Sequence, residues 1–311
     1  MNNNDLDLQI LLNIIFKEKW VIISLTSVAS IFIVIYSLFL PNIYQSQALL
    51  SPAKSGDMPS SSFQRYNSLA SIAGLNLPAQ TPESNASKAI KKINTLSFFE
   101  NNVLPEIFLP DLMAVKSWNA KKNKLEYDKN IYNQLSNTWV RDVSFPKTSI
   151  PSAQESYRKF KDMHLSISED AEMGFITIKI KHKSPYIAKE WAALLVNEIN
   201  KFYRYKDKAE AERAVAYLNK QIIDTNFSEI KLLIAALIQQ ETQKLTLIEA
   251  NSFYVYEFID PPAVMERKSE PSRALICVLG AIISGMLSIC FVLFKYYFFT
   301  NSNHKKIKDL T

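Results

Sequence analysis

Two scales of apolar patterning alternate along the chain. Residues 20–40 and 274–294 are each 21 residues without a charge, apolar on every side. At a rise of about 1.5 Å per residue, each makes a helix about 30 Å long, the thickness of a bilayer's hydrocarbon core. Between these runs the apolar positions become periodic. Ile176, Ile178 and Ile180 alternate with Thr177, Lys179 and Lys181, which predicts a half-buried strand over residues 175–181. Ser184 and Pro185 then predict a helix start, with Ser as N-cap and Pro in the first turn. From Tyr186 to Asp260 there is neither Gly nor Pro. Ile187, Trp191, Leu194, Leu195, Ile199 and Phe202 form one helical stripe; Ala211, Val215, Leu218 and Ile222 form a second. The charged stretch 204–213 separates them and is rich in helix formers. It predicts a helix with little core there, directed into solvent or against a neighbouring subunit; a solvated face of a compact bundle is the alternative. A second helix is expected near residues 228–250, with the turn at Asn226 and Phe227 and a strand over residues 253–258.

The first part of the loop is less regular. Residues 43–50 read as a strand ending before Pro52, and residues 51–62 as a mobile loop rich in Ser, Pro and Gly. Residues 68–75 are small and apolar. A helix is predicted from about Ser87 to Asn102, with Ile90 and Ile93 on one face and Lys88, Lys91 and Lys92 on the other. Pro105, Pro110, Pro146 and Pro151 predict irregular turns and short helices over 105–152. Strands at 43–50, 175–181 and 253–259 are expected to meet, because two of them adjoin the apolar runs. The expected fold is α+β: two transmembrane helices flank a large domain with a membrane-proximal α/β base and a long protruding helical hairpin. The expected divisions are a tail (1–19), transmembrane helix 1 (20–40), the large domain (41–273), transmembrane helix 2 (274–294) and a second tail (295–311).

Charge orients the chain. Lys17 and Lys19 precede the first run; Lys295, Lys305, Lys306 and Lys308 follow the second. Both ends are therefore expected in the cytoplasm and the large loop outside. Arg267, Lys268 and Arg273 oppose this mildly, offset by Glu257, Asp260, Glu266 and Glu270. Cleavage of the first run as a signal peptide after Ser46-Gln47-Ala48 is the weaker alternative, because that run exceeds an ordinary signal core and the cleavage point lies well past its end.

Composition removes several chemistries. The chain of 311 residues has five Gly, and none forms a G-x-G-x-x-G, P-loop or GxSxG pattern. His164, His182 and His304 are far apart in sequence and read as solvated surface residues; Cys277 and Cys290 lie in the second apolar run. No metal or cofactor site is expected. Glu169, Asp170 and Glu172 precede Gly174 and read as a solvated turn. The net charge of +6 leaves the loop nearly balanced, unlike a nucleic-acid binder. No catalytic constellation emerges, and the chain is expected not to be an enzyme.

Three groups of residues invite an assembly role. Gly280, Ser284 and Ser288 share a face of the second apolar run with Gly285 beside them, the small-residue spacing that lets helices approach in lipid. Ser27, Ser30 and Ser37 offer a partner face on the first. Pro261, Pro262 and Pro271 mark an extended entry to the second run. Trp191, Phe202, Glu210 and Arg213 are assigned to an oligomer interface on the long helix.

The order of these blocks resembles the Wzz chain-length determinants, the class 1 polysaccharide co-polymerases. The resemblance is carried by residues 43–52 (IYQSQALLSP), 69–74 (LASIAG), 174–178 (GFITI), 184–191 (SPYIAKEW), 196–200 (VNEIN), 217–221 (YLNKQ), 259–262 (IDPP) and 270–276 (EPSRALI). Met265-Glu266-Arg267-Lys268 departs from the evenly spaced prolines usual in the family. The resemblance implies a homo-oligomer in inner membrane lipid with a periplasmic domain. It implies that the chain sets the modal length of a polysaccharide, lipopolysaccharide O-antigen first, grown by a Wzy-type polymerase on undecaprenyl-linked repeats. Related co-polymerases carry a cytoplasmic tyrosine kinase after the second helix; the tail expected here, 295–311, is too short to hold one. An adaptor for capsule or exopolysaccharide export working with a separate kinase, and a two-helix extracytoplasmic sensor, are the alternatives.

Overall fold

The computed structural model describes residues 13–53, 85–170, 172–251 and 253–308. The mobile loop expected at 51–62 lies outside them apart from Ser51, Pro52 and Ala53, and the small apolar stretch 68–75 lies outside them entirely. The chain divides into two compact units, residues 1–42 with 269–311 and residues 43–268.

The first unit is built on helices α1 (Lys19–Phe39) and α6 (Arg273–Lys308), packed against each other. Lys19–Phe39 and Arg273–Tyr296 are long and apolar enough to cross a membrane. The α+β architecture with long apolar helices near both ends of the chain is as expected.

The second unit holds a four-stranded sheet. Its members are β1 (Tyr44–Pro52), β4 (Leu165–Glu169), β5 (Ile176–His182) and β6 (Tyr256–Asp260), in the order β4-β5-β1-β6 with every neighbouring pair antiparallel. The three expected strands do meet, and β4 is an addition. Its residues pair with the Ile176–Ile180 stretch across a tight turn. Gly174 sits in that turn at φ +70°, and Asp170 Oδ1 accepts the Glu172 and Met173 N–H groups; Asp170 and Glu172 thus lie in a turn as expected, whereas Glu169 ends β4 and pairs with Ile176.

Helix α2 (Asn85–Ile93) stops short of the predicted Asn102. Asn94 Nδ2 donates to the Ile90 carbonyl, and Thr95 Oγ1 accepts the Phe98 N–H and restarts a helical turn at Leu96. Local side-chain bonds thus end one helix and cap the next. The stretch 105–152 also departs from expectation. Besides short helical turns it forms a hairpin, β2 (Val115–Asn119) with β3 (Lys124–Tyr127), and a two-residue ladder pairing Tyr132 with Trp139. Helix α3 (Ala153–Lys159) follows, its Ser152 cap accepting the Glu155 N–H.

Helix α4 (Pro185–Asp224) runs 40 residues unbroken, and α5 (Ser228–Ala250) returns beside it after a short turn at Thr225, Asn226 and Phe227. Its start differs in one respect: the Ser184 hydroxyl makes no cap bond, and the Ser184 N–H instead donates to His182 Nδ1. The core lies between the sheet and α4. Ala48, Leu50, Ile176, Ile178 and Ile180 meet Ala188, Ala192, Leu195, Val196 and Ile199 there.

One buried amide ties α4 to the segment entering β6. Asn200 Oδ1 accepts the N–H groups of Tyr254, Val255 and Tyr256 at 3.3, 2.7 and 3.0 Å, and its Nδ2 donates to the Tyr256 carbonyl at 3.0 Å. Two turns further along α4, buried Asp207 accepts from the Tyr254 hydroxyl at 2.7 Å and from Asn85 Nδ2 at 2.9 Å. The Tyr256 hydroxyl donates to the Ala86 carbonyl. The charged stretch 204–213 is therefore not core-poor on every side. Tyr203, Asp207 and Ala211 are buried along one face.

Removing the Asn200 side chain strands three buried N–H donors, each costing about 1–3 kcal/mol. Asn200→Ala should lower stability by about 3 kcal/mol or more, read by denaturant or thermal unfolding of the detergent-solubilised chain. A change under about 1 kcal/mol would show that other groups or water satisfy those donors.

Candidate functional site

In the α1–α6 pair, the small residues face the partner helix. Ser284 and Ser288 are buried, as is Ser37. The Thr26 hydroxyl donates to the Ile22 carbonyl at 2.7 Å and lies 3.2 Å from Ser288 Oγ, and Ser288 donates to the Ser284 carbonyl at 2.7 Å. A Cβ placed on Gly280 would lie 2.7 Å from two Ile33 carbons, closer than packed carbons approach. A Cβ on Gly285 would meet Thr26 Cγ2 at 3.9 Å, an ordinary contact. The four small residues thus divide, and Gly280 is where contact demands glycine. On α1 the matching face is Thr26, Ile33 and Ser37; Ser30 is half-buried and Ser27 is exposed, so Ser27 does not belong to it.

Pro262 is buried and Pro261 exposed in a stretch without regular structure. The Ala263 carbonyl there accepts from Ser46 on β1 at 2.8 Å. Pro271, half-buried, precedes α6.

The residues assigned to an interface on the long helix do not form one surface. Trp191 is 3% exposed and packs inside the unit, so its assignment to an intersubunit face is corrected. Phe202 is half-buried, edge-on to Phe98 at 6.0 Å. Trp191 meets His182 at the end of β5, whereas Phe202 packs on the helical turns of α2 and residues 96–98, under Lys92. Glu210 and Arg213 are exposed. Further along the hairpin, Tyr217, Ile223, Phe227 and Leu232 are 63–79% exposed.

The histidines depart most from expectation. His164 and His182 are not solvated surface residues: their rings stack at 5.6 Å, and both meet Trp191 edge-on, at 5.4 and 5.0 Å. His182 is 2% exposed. It occupies the next inward position of the Ile176, Ile178, Ile180 alternation, a signal present in the sequence. Because His182 Nδ1 accepts the Ser184 N–H, Nε2 carries the proton and donates to the Asp111 carbonyl at 3.1 Å. His164 Nδ1 donates to the Lys181 carbonyl at 2.6 Å. Two lysines extend the arrangement. Lys159 Nζ donates to the Met113 carbonyl at 3.0 Å and Lys183 Nζ to the Val115 carbonyl at 2.6 Å. Alternate carbonyls of 111–115 are thus each held by a side-chain donor.

Burial, ahead of the neighbouring lysines, pushes His164 down to about 4. Burial likewise pushes His182 down to about 3. Burial also lowers Lys159 and Lys183 and raises Asp111, whose carboxylate receives the Tyr127 hydroxyl. The cluster is neutral at its centre and positive at its rim. Among the described residues no group of three His, Cys, Asp or Glu could hold a metal ion.

The fold and these contacts stand beside three comparisons with known proteins. The model of the Wzz family (chain length determinant protein) matches residues 4–100. The Wzz resemblance read from the sequence holds. No curated protein matches the chain. Of the solved structures, a full-length bacterial polysaccharide co-polymerase is 13% identical, covering 93% of this chain and 97% of its own, with a TM-score of 0.39. A fragment of the co-polymerase WzzB from Salmonella Typhimurium is 11% identical, covering 74% of this chain and 100% of its own, with a TM-score of 0.31. A mutant of the Shigella flexneri lipopolysaccharide O-antigen chain-length regulator is 10% identical, covering 73% and 100%, with a TM-score of 0.21. The Wzz match takes in α1, β1 and α2, including Asn85 and Ala86, but ends before the histidine cluster and Asn200 itself.

The helix seam is open to a direct test. With Cys277 and Cys290 replaced by Ser, a Thr26→Cys/Ser288→Cys pair should form an intrachain disulfide; Gly280→Leu should reduce its yield several-fold, and Gly285→Ala should not. Non-reducing electrophoresis after limited proteolysis reads both. The histidines make stability fall on acidification. Free His titrates near about 6.5, so between that pH and the folded values the unfolded chain binds more protons. The histidine contribution should be full above pH 6.5 and be lost towards pH 3, with Asp111 working in the opposite sense. The thermal midpoint should drop between pH 7 and pH 4.5, and His164→Phe should flatten that slope.

Proposed function

We propose that this chain regulates polysaccharide chain length without itself catalysing a reaction, most specifically the modal length of lipopolysaccharide O-antigen. The observation that carries the reading is the Wzz match over residues 4–100, in a chain with one long apolar helix near each end. In this reading residues 20–40 and 274–294 cross the inner membrane. Residues 41–273 form the periplasmic domain, and 1–19 and 295–311 are cytoplasmic, as the flanking lysines favour.

The proposed mechanism is assembly plus contact. A homo-oligomer presents a repeated surface to a Wzy-type polymerase and its undecaprenyl-linked product. The exposed Tyr217, Ile223, Phe227 and Leu232, with Glu210 and Arg213, support α4 and α5 as the contact between copies. Trp191 and Phe202 act behind that surface, fixing α4 against His182 of the sheet and against Phe98. In the membrane, Gly280 sets the distance between the chain's own two helices, while Ser284, Gly285 and Ser288 line their seam.

Deleting the gene and restoring it should remove and return the modal band on a lipopolysaccharide ladder gel, with sugar attachment to the lipid core intact throughout. An unchanged ladder would overturn O-antigen as the product. A C-terminal alkaline phosphatase fusion should be inactive and a C-terminal fluorescent fusion bright; the reverse would overturn the topology.

A further inference from the structure

The β2–β3 hairpin and the start of α4 enclose an open depression of about 410 Å³. Its lining includes Trp118, Tyr186, Tyr127, Asn123, Gln134 and Lys124. Neither the sequence motifs nor the packing of the core accounts for this grouping. Trp118 and Tyr186 lie 6.2 Å apart with their planes at 55°, two walls of one corner. Tyr186, though aromatic, is 49% exposed, and Gln134 is exposed.

The platform is held in place from behind. Tyr44 of β1 meets the Trp118 ring edge-on at 5.4 Å. The indole Nε1 donates to Asn123 Oδ1 at 3.0 Å. Asn123 takes the left-handed backbone of the hairpin turn, at φ 46°, which asparagine tolerates. The Asn123 Nδ2 amino group is left for a ligand. The Tyr127 hydroxyl is fixed on Asp111. The aromatic surfaces are therefore positioned before any ligand arrives, which lowers the cost of binding.

The chemistry of the lining selects the ligand class. Flat aromatic faces carry negative charge density and attract the weakly positive C–H face of a pyranose ring. Amide groups donate to and accept from hydroxyls, and an ammonium group pairs with hydroxyls or a uronic carboxylate. The lining is mixed rather than uniformly apolar, which disfavours a lipid chain or an amphipathic helix. Lys124 is its one charged residue, which disfavours a phosphate-rich ligand. The volume falls within the usual range for small-ligand sites, about 300–1,000 Å³. The open rim suits a segment of a longer chain.

We infer that this depression is a saccharide-binding site for a short segment of the polysaccharide, with Trp118 and Tyr186 as stacking faces and Asn123, Gln134 and Lys124 as polar contacts. The inference deepens the chain-length reading and rests on it, since it makes the growing polymer a direct ligand of this chain.

The test uses the full-length chain in detergent. The probe is the host's own lipopolysaccharide polysaccharide, freed of lipid by mild acid, with dextran as control. Saturation-transfer NMR should show ring-proton signals for the host polysaccharide and weak ones for dextran. Tyr186→Ala and Gln134→Ala, both at exposed positions, should weaken binding about fivefold or more with the thermal midpoint unchanged. Trp118→Ala should abolish it, and Trp118→Phe should retain part. Binding equal in wild type and Tyr186→Ala, or no binding of the host polysaccharide, would overturn the site. The ladder gel separates the two readings. An unchanged ladder on gene deletion sinks the chain-length role whatever binds. A ladder altered by deletion but not by Trp118→Ala or Tyr186→Ala sinks the saccharide site alone.

Discussion

The unit of residues 43–268 depends on how a 40-residue helix is joined to a sheet whose last strand arrives after a separate helix. The Asn200 amide makes that join. A strand entering a sheet has backbone donors with no partner until the ladder begins, and here three such N–H groups converge on one oxygen. Hydrophobic contact alone leaves those groups unpaired in the core at a large cost. Asp207, two turns along the same helix face, extends the effect by holding Tyr254 and Asn85. Burial first, and the Asp207 carboxylate second, push the Tyr254 phenol above its ordinary range, so it stays a donor at any physiological pH.

Much of this fold was legible in the sequence because it is written in period. The alternation of Ile176, Ile178 and Ile180 marked a strand. The absence of Gly and Pro after Pro185 marked a long helix, and the uncharged runs two membrane-length ones. What period does not carry is not legible in this way. The β2–β3 hairpin turns on Asn123 in a left-handed conformation, without glycine to announce it. Strand β4 holds only Leu165 and Ile167 as apolar markers, too few to separate it from the helical turn before it. The break after Ile93 is made by Asn94 and Thr95 side chains bonding to nearby backbone, which leaves the apolar spacing undisturbed.

Candidate residues were legible to different degrees for the same reason. The small-residue face of the second apolar run could be read from spacing, but the distinction between Gly280 and Gly285 depends on where Ile33 falls across the seam. Trp191 fitted both an interface and a core stripe, and only its neighbours His164, His182 and Phe160 decide for the core. Their separation in the chain makes His164 and His182 read as solvated surface residues, whereas β4, β5 and the turn before β4 fold them face to face. The aromatic corner joins Trp118 on the hairpin to Tyr186 on the long helix, two segments far apart in the chain, and leaves no local trace.

The buried face of α4 ends at Ala211, and from Glu212 to Asp224 no residue of the helix is buried. That remainder is about 20 Å of helix, stiffened by α5 but not set in the sheet. Its geometry is that of a lever arm whose base is near Ala211. A tilt of about 10° there carries the far end through roughly 3 Å, close to the width of an atomic layer. A slight bend of the helix near Ala211 would thus be magnified at its far end, while the buried contacts of Asp207 and Tyr254 stayed in place.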